Sequence, residues 1–319
     1  MMPRIVVALG DRFAPEALQI LRGAGDVRCE TFTRRDLLAA LGDAEVLIIG
    51  LDHIADRVLF DASPKLKVIA TPTTGLDHVD VAVAESRGIA VVNLRGADDV
   101  LREVTATAEL AWGLLLALLR RIVPAGEAVR RGEWARDAFM GTSLAGKTLG
   151  VVGVGRLGGM VARYGRCFGM TVLGCDPAPS DRILCDEWLP LDAMLPRCDA
   201  VSLHVHLTSD TERLINARML GLLRPSAVLV NTARGRVVDE AAILDALRSG
   251  RLAGYAADVL DGELTFDASC SAHPLVAYVR EHDEVLLTPH IGGMTREART
   301  VTDVFIAQKI AGMLGAGFR

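Results

Sequence analysis

Short apolar, β-branched runs alternate along the chain with stretches whose apolar residues recur at helical spacing. In the first third, strands are predicted at 5–9, 46–49, 66–70 and 90–93, with helices at 15–23, 36–41 and 58–62. A second series predicts strands at 148–152, 171–175, 200–203, 228–230, 253–258 and 285–287, and a closing helix at 296–314. Between the two, an apolar stretch from 98 to 121 predicts one long helix. Runs of this length, apolar at consecutive positions and bounded by Gly and Pro, fit parallel strands buried on both faces. The expected fold class is therefore α/β, with two doubly wound parallel-sheet domains. The natural boundary lies near residue 98, with the long helix as hinge and the last helix returning to the first domain.

Length agrees, since 319 residues at ~150 per domain make about two domains. Half the residues are hydrophobic and 24% are charged, which excludes disorder. A net charge of −5 without a basic tail, and only 4% aromatic residues, argue against a nucleic-acid partner. Cys29, Cys167, Cys175, Cys185, Cys198 and Cys270 show no CxxC spacing, so no structural metal is expected, and a reduced, cytoplasmic setting is. The opening MMPRIVVALGDR holds too short an apolar run for a secretory leader. The most membrane-like stretch, 110–119, is well short of the ~20 apolar residues a span needs, so no membrane is expected.

Candidate chemistry begins at KTLGVVGVGRLG, residues 147–158. A strand runs into Gly153-x-Gly155-x-x-Gly158 and a helix follows. The first glycine serves the tight turn, the second lets a pyrophosphate approach the backbone, and the third lets helix and strand pack closely. Asp176 ends the next strand, where a carboxylate accepts the ribose hydroxyls of NAD and repels the 2′-phosphate of NADP. A methyltransferase could use similar glycines, so this loop alone leaves the reaction open.

Three more polar positions follow apolar strands: Arg234 in VLVNTARGRVVD, Glu263 in AGYAADVLDGE and His290 in VLLTPHIGG. Singly, each has an ordinary reading: a surface arginine, a solvated glutamate, a residue at a helix start. Together they occupy the strand ends where open parallel sheets collect ligands. His204 and His206 alternate with Val205 and Leu207 and read as pocket wall or packing.

With TTGLDHVD (73–80), TAELAWGLLLALLRR (107–121), the glycine loop, SLHVHLTSDTERLIN (202–216), NTARG (231–235), DVLDGE (258–263) and TPHIGG (288–293) in this order, the chain resembles the D-isomer-specific 2-hydroxyacid dehydrogenase family over nearly its whole length. The resemblance implies a flavodoxin-like substrate domain made of 1–98 and 294–319, and a Rossmann NAD-binding domain at 99–293. It implies reversible reduction of a 2-oxo acid to the D-2-hydroxy acid with NADH, usually in a homodimer formed through the cofactor domain. By the same resemblance, Arg234 holds the substrate carboxylate and carbonyl oxygen, which suits its planar fork. His290 is the general acid and base, and Glu263 is the carboxylate that favours its protonated form. The backbone at Thr74 and Gly75 is a second carboxylate anchor, and Arg156, Leu157, Asp176, Thr232, Asp258 and Gly293 line the dinucleotide.

Several segments depart from the family pattern. Leu264 follows Glu263 where proline is usual, which predicts a less rigid loop, and the stretch 262–274 is long. Residues 93–109 exceed the usual link between strand and helix, and Arg95 or Arg102 there could read a distal group of the substrate. A solvated, ion-paired helix start is the equal alternative. Gly50-Leu51-Asp52-His53 and Thr71 bring no cation where phosphoglycerate-type enzymes hold a phosphate, and a short form without a regulatory domain is expected. Two other functions stay open: an NAD(H)-sensing interaction protein resembling the family's transcriptional corepressors, and a formate dehydrogenase relative, in which glutamine would replace Glu263.

Overall fold

The computed structural model describes residues 2–179, 181–266 and 269–316. Residues 267–268 of the 262–274 stretch, and residues 1 and 317–319 of the expected substrate domain, lie outside the described residues. The chain divides into two compact units, Met1–Val104 with Met294–Arg319, and Thr105–Gly293.

In the first unit, strands β1 (Arg4–Val7), β2 (Asp26–Cys29), β3 (Val46–Ile48), β4 (Val68–Ala70) and β5 (Ala90–Val92) form a parallel sheet in the order β2-β1-β3-β4-β5. Strand order reverses at β1, the doubly wound pattern of flavodoxin-like sheets. The central strands are buried along their length, which is why they read as unbroken apolar runs. Helices Arg34–Ala40, Arg57–Asp61 and Val81–Ser86 open on the side chains of Thr33, Asp56 and Asp80, each accepting a hydrogen bond from a free helical N–H. Such caps contribute about 1 kcal/mol each. Helix Arg296–Gly315 packs against Pro15–Ala24 within this unit.

In the second unit, β6 (Thr148–Val152), β7 (Thr171–Cys175), β8 (Glu187–Trp188), β9 (Ala200–Leu203), β10 (Val228–Asn231), β11 (Gly254–Ala257) and β12 (Val285–Leu287) form a parallel sheet in the order β12-β11-β10-β9-β6-β7-β8. Successive strand residues feed opposite cores: Val201, Leu203, Leu229 and Tyr255 enter one, while Ala200, Val228, Val230 and Ala256 enter the other with Trp112 and Leu115. Both faces are thus covered, as the apolar pattern requires.

The single helix expected over 98–121 is two, Asp98–Leu101 and Ala106–Leu119. The Val104 N–H bonds back to Leu101 O, a three-residue turn that ends the first helix, and the unit boundary falls directly after it. Among the described residues no helix is long and apolar enough to cross a membrane.

Candidate active site

The glycine loop follows β6. Gly153 takes φ +83°, and a Cβ there would lie 2.8 Å from His204 O. A Cβ on Gly158 would stand 2.0 Å from Gly153 O, so helix and loop close on each other only without side chains. Gly155 caps helix Arg156–Cys167 without a side-chain hydrogen bond, and the space beside its Cα is open. A helix start opening on free space is the element of a phosphate site. Arg156 and Leu157 lie half-buried on its first turn. Asp176 accepts Val154 N–H on one oxygen and Ala178 N–H on the other, both at 2.8 Å. Each oxygen keeps a second lone pair for a ribose hydroxyl. Thr232, after β10, is 8% exposed, and its buried Oγ1 has no hydrogen-bond partner among the described residues. A buried hydroxyl left unpaired costs free energy unless a ligand satisfies it. These residues fit a dinucleotide.

Three adjacent strands, β10, β11 and β12, deliver Arg234, Glu263 and His290 from their C-terminal ends. The His290 Nδ1 and Glu263 Oε1 atoms are 2.6 Å apart, with both side chains largely buried. A carboxylate can only accept, so Nδ1 carries the proton. Glu263 Oε2 accepts Leu260 N–H at 3.0 Å, which fixes the carboxylate, while His290 Nε2 has no partner among the described residues. The Glu263 turn is tied despite Leu264: Gly262 takes φ +76°, and Gly262 O accepts both the N–H and the hydroxyl of Thr265. Arg234 is half-buried, its Nη1 donating to Ala233 O at 2.7 Å. Asn231 holds this turn from beneath, donating to Arg234 O and accepting Ala233 N–H.

Asp258, expected to line the dinucleotide, lies at the C-terminal end of β11. It is 1% exposed, and its carboxylate accepts Thr288 Oγ1–H, Ile291 N–H and Gly292 N–H. Burial pushes its pKa up, against these three hydrogen bonds. These bonds fold the loop that carries His290, whose N–H also bonds to Asp258 O at 2.8 Å. Gly293, at the end of this loop, is exposed with open space beside it. His204 bonds Ser202 through Nε2, and burial pushes its pKa down to about 4, so it is a neutral packing residue.

Two residues that sequence reading passes over hold the Glu263 loop. Glu240 accepts Asp261 N–H at 2.9 Å on one oxygen and meets His273 Nε2 at 3.0 Å with the other. One carboxylate thereby joins both ends of the segment carrying Glu263. No local signal connects these residues, which lie on different elements. Among the described residues no group of three or more His, Cys, Asp or Glu could hold a metal ion.

In the first unit, Thr74 and Gly75 follow β4. Thr73 Oγ1 donates to Gly75 O at 2.7 Å, so Thr71 Oγ1 donates to Thr73 and accepts from His78 Nε2. Arg95 Nε donates to Thr74 O at 3.2 Å. Both carbonyls are turned to internal donors, while the N–H groups of Thr74 and Gly75 have no acceptor among the described residues. Arg102, in contrast, pairs with Asp99 on an exposed helix start. The loop after β3 also gains a cation that its own sequence lacks: Arg12, from the loop after β1, lies 2.6 Å from Asp52.

The model of the D-isomer specific 2-hydroxyacid dehydrogenase NAD binding domain matches residues 112–292. Over 318 residues the chain is 34% identical to the D-3-phosphoglycerate dehydrogenase of Methanocaldococcus jannaschii, covering 97% of this chain but 57% of that protein. The chain therefore spans little more than half the length of that relative. It is 33% identical over 316 residues to the hydroxypyruvate reductase of Thermotoga maritima, covering 98% of this chain and 100% of the other. The solved D-lactate dehydrogenase of Aquifex aeolicus, complexed with NAD and lactic acid, superposes with a TM-score of 0.85 at 26% identity, over 99% of this chain and 96% of that one.

Proposed function

Because the chain belongs to the D-isomer specific 2-hydroxyacid dehydrogenase family and carries its NAD-binding domain, we propose that it reversibly reduces a 2-oxo acid to the D-2-hydroxy acid with NADH. The observation that carries this reading is the Glu263–His290 pair, tied at Nδ1 and, among the described residues, unpartnered at Nε2. In reduction, protonated His290 gives its Nε2 proton to the substrate carbonyl oxygen. Glu263 stabilises the imidazolium before the transfer and holds the ring through Nδ1–H afterwards. Arg234 binds the substrate carboxylate and carbonyl oxygen and polarises the carbonyl. NADH, when bound, supplies the hydride. In oxidation the neutral imidazole takes the hydroxyl proton back.

Gly153, Gly155, Gly158, Arg156 and Leu157 would hold the pyrophosphate side of the dinucleotide, Asp176 the adenine ribose, and Thr232 and Gly293 its inner end. The free N–H groups of Thr74 and Gly75 support their role as the second carboxylate anchor. We also take the active form to be a homodimer built on the NAD-binding unit, whose segment 122–140 exposes Ile122, Val129, Trp134 and Met140.

The test follows NADH oxidation with glyoxylate, hydroxypyruvate, pyruvate, phenylpyruvate and 2-oxoglutarate. Turnover should prefer NADH to NADPH, and His290→Ala should lower kcat by at least about 100-fold, the scale of general-acid catalysis. Undiminished turnover in that variant would remove His290 from the chemistry.

A further inference from the structure

Arg95 belongs to the segment after β5 and is held in place by several local bonds. Leu94 is buried and donates its N–H to Thr73 O at 3.1 Å, and the Arg95 N–H is taken by Asn93 Oδ1 at 3.1 Å. Gly96, at φ +75°, then turns the chain away. The guanidinium is thereby brought to the Thr74 carbonyl through Nε, and no carboxylate neutralises it among the described residues.

The peptide that joins Thr74 to Gly75 is trans, so its C=O and N–H point in opposite directions. Its oxygen receives the Arg95 N–H, and its own N–H, on Gly75, points the other way and has no acceptor among the described residues. A cation on the carbonyl draws electron density through the amide and makes the N–H a stronger donor. The positive charge also stands roughly 8 Å from any anion that N–H binds, from the sum of two hydrogen bonds and the width of a peptide. We infer that Arg95 is a positioning residue that strengthens the Thr74–Gly75 backbone as an anchor for the substrate's 2-oxo carboxylate, acting through the peptide rather than by touching the substrate. This rests on the activity proposed above and replaces the expectation that Arg95 reads a distal group.

The two roles predict different kinetics. A cation acting through the peptide serves every 2-oxo acid alike, because all carry the same carboxylate. At this distance, and discounted for solvent exposure, its loss should weaken binding by about three- to tenfold. The experiment compares wild type, Arg95→Gln and Arg95→Lys with glyoxylate, hydroxypyruvate and 2-oxoglutarate. Arg95→Gln should raise KM by that factor for all three, leave kcat within about twofold, and leave NADH affinity and melting temperature unmoved. Arg95→Lys, which keeps the charge, should recover much of the loss. Wild-type KM should rise with ionic strength more steeply than that of Arg95→Gln.

An unchanged KM would overturn the inference. So would a rise confined to 2-oxoglutarate, which would make Arg95 a reader of the second carboxylate. A fall in melting temperature that Arg95→Lys fails to restore would reduce its role to loop structure. If the wild type turns over no 2-oxo acid, the proposed activity fails, and calorimetric titration with oxalate then tests the anchor by itself. Weaker oxalate binding by Arg95→Gln than by wild type would uphold it, and equal or absent binding would sink it.

Discussion

His290 sits at φ +53°, in the left-handed region that residues other than glycine uncommonly occupy. Such a backbone costs of order 1 kcal/mol and persists only where its surroundings impose it. Asp258 is the residue that does so, through Thr288 Oγ1, Ile291 N and Gly292 N. Asp258→Asn puts an NH2 group where one of these donors now points, leaving a buried clash of donors. The expected cost is about 1–3 kcal/mol, a melting temperature several degrees lower, and a kcat at least about tenfold lower. Calorimetry and steady-state rates check this, and a loss confined to NADH affinity would mean that Asp258 acts on the dinucleotide rather than on the loop. Arg234, Glu263 and His290 were legible in the sequence because each follows an apolar strand inside a distinctive motif. The work of Asp258 was not, because its partners are backbone N–H groups of a distant loop. Arg12 escaped for the same reason: its partner Asp52 follows a different strand.

The apolar runs mark the inner strands nearly to the residue, with 148–152, 171–175 and 200–203 among them. The two that went unread, β2 and β8, are both edge strands. Their residues are half-buried or exposed, so no apolar run marks them. The break between helices Asp98–Leu101 and Ala106–Leu119 was hidden for the opposite reason, since Leu101, Val104 and Ala106 are all buried and keep the pattern apolar through the turn. Helix Ile122–Arg130 and the turn Arg136–Phe139 leave apolar side chains in solvent, with Trp134 88% exposed and Met140 83%. If this arm joins two copies, the protein should sediment at twice its 34.1 kDa chain mass. Trp134→Asp should then yield monomers at micromolar concentration, whereas a wild-type monomer would dismiss the dimer.

At the scale of the molecule, two parallel sheets with separate cores make the stability of each unit a separate question. In the first unit, Asp303 is fully buried and accepts Ala14 N–H. Its other oxygen lies 2.9 Å from Arg299 Nη2. Burial outweighs the arginine and pushes the Asp303 pKa up to about 6. The folded protein thus holds a proton that the unfolded chain releases near pH ~4, so this group's stabilisation is present at low pH and is lost as pH rises from ~4 through ~6. Relative to Asp303→Asn, wild-type stability should fall by about 2–3 kcal/mol across that interval, as measured by urea denaturation. A constant difference would mean that the carboxylate stays ionised throughout. Glu263 closes one side of the His290 ring. The imidazole is left with a single door, at Nε2, and in the proposed reaction the substrate stands in it. The proton spent in each reduction cannot be restored from behind, so the histidine is recharged only after product has left, and turnover runs as a strict alternation of departure and refilling.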